Sequence, residues 1–99
     1  MTINGSIENG IINVSVVGRL DTANAFVAEQ HFLKYAESGN TFVIDFAGVE
    51  MITSAGIRAL LTLYRTVSET GGSVTIKNAN ESVVSVLEET QFLELFNVK

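Results

Sequence analysis

The sequence predicts a single α/β domain in which a mixed β-sheet packs against helices, and three observations lead there. Apolar residues alternate near the start, with Ile12, Val14 and Val16 on one face, as a half-buried strand requires. Asn9-Gly10, lying between Ile3–Glu8 and Ile11–Gly18, is the pair that closes a two-residue hairpin turn. Further on, short apolar runs are separated by stretches with apolar residues three and four apart. Strands separated by helices favour parallel pairing, so the opening hairpin makes the sheet mixed. The expected order is β-β-α-β-α-β-α with a short C-terminal element, over residues 1–99 as one domain with one core.

Each element has its own signal. Asp21 is expected to cap a helix reaching about Ser38, because its carboxylate can accept from first-turn N–H groups. That helix buries Ala25, Ala28, Phe32, Tyr35 and Ala36, turns Glu29, Lys34 and Glu37 mostly outward, and stops at Gly39-Asn40. Phe42–Phe46 is a nearly continuous apolar run, the pattern of a central strand covered on both faces. A short loop carrying Met51 and Ile52 is expected to follow. The next helix, from Ser54 to about Glu69, buries Ile57, Leu60, Leu61, Tyr64 and Val67, keeps Arg58, Thr62, Arg65 and Glu69 wet, and stops at Gly71-Gly72. Val74–Lys77 makes a short strand, and Asn80 caps a third helix carrying Val83, Val84 and Leu87. The apolar tail Phe92–Phe96 is expected to dock as a last helical turn.

Composition excludes several classes of function. The formal net charge is −5 with only six Lys and Arg, scattered along the chain, which argues against a nucleic-acid binder. There is no cysteine, hence no disulfide, thiol chemistry or thiolate metal site. No apolar run approaches the length of a membrane span, and Met1 to Gly5 lacks the basic and apolar parts of a signal peptide. A cytoplasmic location without membrane contact is the expectation.

Chemistry is sparse. Asp21 and Asp45 each follow or end an apolar strand, so parallel topology can bring two carboxylates to one sheet edge for acid/base work or Mg²⁺. No third ligand or base is spaced beside them, and a cap at Asp21 with loop N–H groups satisfied by Asp45 is the plainer reading. His31 is the only histidine and has no metal-ligand or triad partner at suitable spacing. No nucleotide-binding glycine motif appears. The expectation is no enzyme, no metal and no cofactor.

Thr53-Ser54-Ala55-Gly56 is the segment that stands out. A hydroxyl pair at a helix start can simply cap it, while Gly56 allows close packing on the sheet. The same place joins accessible hydroxyls to unpaired N–H groups and the positive end of a helix dipole, which suits a phosphate or a partner.

Three segments, Gly18-Arg19-Leu20-Asp21, Val43–Phe46 and Ile52–Leu61, occur in the order and at separations similar to those of STAS domains, and Gly71-Gly72 with the Val83–Leu87 helix continues the match. The chain resembles that family over essentially its whole length, and at this size it looks most like the anti-sigma-factor antagonists. The resemblance implies a mixed sheet flanked by helices and a switch rather than an enzyme. Its implied partners are an anti-sigma factor, a serine kinase with a histidine-kinase-like ATPase fold, and a resetting phosphatase. In the usual pattern the hydroxyl just before glycine takes the phosphate. Ala55 stands there in this chain, so Ser54 is the expected phosphoacceptor and Thr53 the second choice. Asp21, Thr22, Thr53, Ala55, Gly56 and Arg58 are the expected partner-binding residues. The alternative is a STAS accessory subunit that is not phosphorylated, in an assembly such as a lipid-transport ATPase. A carrier of a small ligand is a third reading, without a phosphate-cradling loop to support it.

Overall fold

The computed structural model describes residues 1–99. Its elements are β1 (Thr2–Glu8), β2 (Ile11–Leu20), α1 (Ala25–Ala36), β3 (Thr41–Ile52), α2 (Ser54–Ser68), β4 (Ser73–Lys77), α3 (Glu81–Glu89) and β5 (Asn97–Val98). The five strands lie side by side in sequence order, with β1–β2 antiparallel and every later pair parallel. Asn9 and Gly10 have φ of 52° and 79°, the left-handed pair that lets a two-residue turn follow the strand twist.

The helices cover one face of the sheet. Ile12, Val14 and Val16 from β2, Phe42, Ile44 and Phe46 from β3, and Val74 and Ile76 from β4 are buried, while the residues between them are half-buried or exposed. The expectation of a central strand covered on both faces is therefore corrected: Val43 and Asp45 face the open side, and only the alternate residues are sealed. α1, α2 and α3 close the core with Phe32, Leu60, Leu63, Val67, Val83 and Leu87, and no polar or charged side chain is buried there. Leu61 and Tyr64, expected inside, are only half-buried, and Leu63 takes the central position.

β3 is also far longer than expected. Ser15 pairs with Asp45, but Val17 pairs with Gly48, and Gly18 with Val49 precedes Arg19 with Met51. Each step gives β3 one residue more than β2, so two bulges let the strand bend and continue. Met51 and Ile52 thus belong to the strand rather than to a loop, and Ile52 is buried.

Other boundaries move for identifiable reasons. Residues 21–24 form a turn before α1, so the helix starts at Ala25 with Asn24 as its flanking residue. Asp21 still accepts from the Asn24 N–H at 3.1 Å, capping this turn rather than the helix proper. α2 stops as expected: Gly71 has φ 78°, its N–H bonds Ser68 O, and Gly72 N–H bonds Val67 O at 2.7 Å, the paired bonds of a Schellman end. Asn80 caps α3 by accepting from Val83 N–H at 2.8 Å, and its amide also donates to Val49 O at 3.1 Å. The cap therefore ties α3 to the bulged end of β3. In the tail, Leu95 and Phe96 N–H groups bond Phe92 O as a turn, after which Asn97–Val98 adds a fifth strand that was not expected.

Candidate functional site

β2 and β3 end together, and this places the site. Thr53 N–H donates to Leu20 O at 3.1 Å, so the start of α2 sits beside the turn that begins at Asp21. Gly56 makes the approach possible. A Cβ there would collide with Leu20 O and lie 2.9 Å from both Ile52 Cγ1 and Leu20 Cγ. The expectation that glycine allows close helix–sheet packing holds.

The cap itself does not. Thr53 is the N-cap residue in extended conformation, yet neither it nor Ser54 makes a side-chain cap bond. The Thr53 hydroxyl is shut off from solvent without a hydrogen-bond partner, a costly arrangement for a polar group. The first bond of α2 runs from Ile57 N–H to Thr53 O. The N–H groups of Ser54, Ala55 and Gly56 therefore sit at an uncapped helix start with its partial positive charge.

Ser54 is exposed as the first residue of that helix, and Arg58 is exposed one turn further on. The first turn carries no acidic residue. Arg19, at the end of β2, sits 3.7 Å from the Asp21 carboxylate and also donates to Met51 Sδ at 3.3 Å. The charges around the tip are balanced, Arg19 by Asp21 and Arg58 by Glu29 across the cleft, so the positive end of the helix dipole is what sets it apart in a chain of net charge −5.

Two shallow clefts flank this tip. Thr22, Ala55 and Arg58 share one of about 280 Å³ with Phe26 and Glu29 from α1. Ser54 and Arg58 share the other, about 230 Å³, with Leu61, Thr90 and Phe92. The fold thus brings together Thr22, Ala55 and Arg58 around one cleft and keeps Gly56 buried beneath. Sequence reasoning missed Phe26, which at 70% is the most exposed large apolar side chain of the chain. Its only signal was an aromatic residue off the buried face of α1, next to Thr22 in space but not in pattern.

Asp21 and Asp45 are not brought together. Asp45 pairs with Ser15 in mid-strand, whereas Asp21 lies beyond the last residue of β2, and no cluster of three metal-ligating side chains exists. Asp45 instead accepts from Ala47 N–H at 2.9 Å and from the Asn78 amide at 3.1 Å, so it satisfies the first bulge of β3. These bonds, the Ala47 one foremost, with a smaller pull from the Lys77 charge, hold its carboxyl below the ordinary value. His31 is simply exposed on α1.

A test on pH follows from Asp45. A depressed folded-state pKa favours folding when the carboxylate is charged, so its contribution is complete above the ordinary value of 3.8 and is lost as pH falls through the folded one. Asp45→Asn should be less stable than wild type to urea at neutral pH, with the gap closing below pH 3.8. A gap that stays constant would show that the charge contributes nothing.

The family model described as STAS domain matches residues 2–99. An anti-sigma factor antagonist from Mycobacterium paratuberculosis has a similar structure, at 27% identity and TM-score 0.82, covering 98% of this chain and 83% of that one. An anti-sigma-factor antagonist (STAS) domain protein from Planctomyces limnophilus aligns at 22% identity and TM-score 0.88, covering 97% and 87%. The Bacillus cell fate determinant SpoIIAA in its phosphorylated form aligns at 12% identity and TM-score 0.75, covering 99% and 91%. No curated protein matches the sequence.

Proposed function

The chain belongs to the STAS domain family, and from that premise we propose that it is an anti-sigma-factor antagonist in a bacterial partner-switching pathway that regulates transcription. Its partner in this reading is an anti-sigma factor that is also a serine kinase with a histidine-kinase-like ATPase fold. The tip of α2 docks on that partner, phosphorylation of Ser54 ends the contact, and a phosphatase restores it. The single observation that carries the reading is an exposed Ser54 on an uncapped helix start whose first turn holds no acidic residue. The likeness to SpoIIAA, whose structure exists in a phosphorylated form, supports it.

The chemistry asked of this chain is small. ATP and Mg²⁺ belong to the kinase: the Ser54 hydroxyl oxygen attacks the γ-phosphorus, the bond from that phosphorus to the bridging oxygen breaks so that ADP leaves, and the hydroxyl proton passes to a kinase base. The product carries roughly −1.5 to −2 charges at neutral pH where the free tip bore a neutral hydroxyl. The free N–H groups and Arg58 can hold that charge within this chain, and a pocket shaped for the neutral hydroxyl loses its fit.

One observation favours a second reading. Ala55 replaces the hydroxyl that precedes glycine in the usual pattern, and a one-residue step turns a side chain about 100° around the helix. A STAS accessory subunit would use the same tip without covalent change. The test is to incubate the chain with its partner kinase and ATP and weigh it intact. The expected result is one added phosphate in wild type and none in Ser54→Ala, with Thr53→Ala still modified. Unmodified wild type that nonetheless binds the kinase would establish the accessory reading instead.

A further inference from the structure

The two edges of the sheet are treated differently. β5 ends one side with two residues, too short to template another strand. β1 ends the other with seven residues in unbroken register against β2, with no proline, lysine or bulge. Those are the devices that usually blunt a free edge, whose outward N–H and C=O groups otherwise invite pairing. Glu8 is the only charge on β1, and it lies at the very end.

The edge is also self-complementary. Thr2-Ile3-Asn4-Gly5-Ser6-Ile7-Glu8 reads the same way in both directions by residue character: isoleucine, polar, glycine, polar, isoleucine. We infer that two copies of this chain pair through β1, antiparallel and centred on Gly5, to make one continuous sheet. A two-fold axis through that centre sets Ile7 opposite Ile3 of the second copy, Asn4 opposite its Ser6, and Thr2 opposite its Glu8. Directly opposed residues share a face and form the unit of sheet stabilisation.

Each of these pairs fits what the single chain leaves open. Ile7 is 52% exposed, whereas Ile3 is half-buried and packs on the core, so pairing extends the apolar face over Ile7. Gly5 lies under the Tyr35 ring of α1, where a Cβ would come within 2.5 Å of Cζ. An aromatic ring laid over a strand glycine covers the backbone that lacks a side chain, and two such rings roof the seam. The two Glu8 carboxylates fall at opposite ends of the paired strands, each facing a threonine hydroxyl, so no like charges meet. A two-fold contact of this kind closes on itself and does not propagate into fibres.

Sedimentation equilibrium of the pure chain tests this. The expected result is a mass that rises with concentration from 10.7 kDa towards twice that value. Asn4→Lys with Ser6→Lys places like charges opposite one another and should weaken association roughly tenfold or more. Asn4→Glu with Ser6→Glu should do the same, and an equimolar mixture of the two variants should recover the dimer. Circular dichroism checks that each variant is folded. Because the chain has no cysteine, mixing Asn4→Cys with Ser6→Cys under mild oxidation should give a covalent heterodimer in this register without perturbing charge. A wild-type chain that stays monomeric throughout, or a dimer that survives both charged variants, would overturn the inference. So would cross-linking no faster than with Asn13→Cys on the neighbouring strand.

Discussion

Gly56→Ala is expected to cost the domain about 2 kcal/mol and to lower its melting temperature by roughly 10 °C. At an ordinary helix position the same change would stabilise by up to about 1 kcal/mol, since alanine is the better helix former. Here the new methyl collides with the Leu20 carbonyl oxygen and crowds Ile52 and Leu20 side chains at 2.9 Å. A backbone oxygen cannot rotate away, so α2 must lift from the ends of β2 and β3. Overpacking of this sort costs about 3 kcal/mol, which the propensity gain offsets only in part. Lifting α2 also moves Ser54 and Arg58, so binding to the proposed partner should fall alongside stability. Urea and thermal unfolding read the first effect directly. A variant as stable as wild type would mean that α2 does not sit this close to Leu20.

Phe96→Ala is the second change with a large expected effect, about 3–4 kcal/mol. The ring is fully buried and meets Tyr64 edge to face, with centroids 6.1 Å apart. Truncation removes that contact and leaves a void beneath α2, in a domain whose whole stability is about 5–15 kcal/mol. The two-residue strand that follows has few bonds of its own. Lys99 N–H to Ile76 O at 2.8 Å and the parallel pairing with β4 survive only while the ring anchors the tail. Phe92→Ala offers the control, being half-buried at the rim of the cleft, and should cost distinctly less. Equal losses from the two substitutions would contradict the anchoring role of Phe96.

The sequence made visible those features that rest on local chemistry. Asn9-Gly10 announces its hairpin because few other pairs adopt two left-handed conformations in succession. Gly71-Gly72 marks the end of α2 and Asn80 the start of α3 for similar reasons, each being a residue whose backbone or side chain answers a specific terminus. The features that stayed hidden depend on what lies across the sheet. The two bulges of β3 arise from a mismatch with β2, which no window along β3 alone can display. β5 is too short for any periodicity and exists because Phe96 is fixed elsewhere. In the candidate site, Ser54, Ala55 and Arg58 were evident as a helix start. Phe26 was not, because its importance comes from standing exposed beside Thr22 and Arg58 after folding. The missing cap at Thr53 belongs to the same class: a hydroxyl followed by a helix predicts a bond that tertiary packing has withdrawn.

The parallel registers have a kinetic consequence. Ile12 lies beside Phe42 and Phe42 beside Val74, so each seam joins positions about thirty residues apart, and loop-closure entropy must be lost before either is rewarded. The hairpin closes through two residues and can form on a microsecond scale, whereas those longer closures place the whole domain among the slower small folders. Substitutions at the β2–β3 seam should therefore act mainly on the rate of folding. Those in the late-docking tail should act mainly on the rate of unfolding.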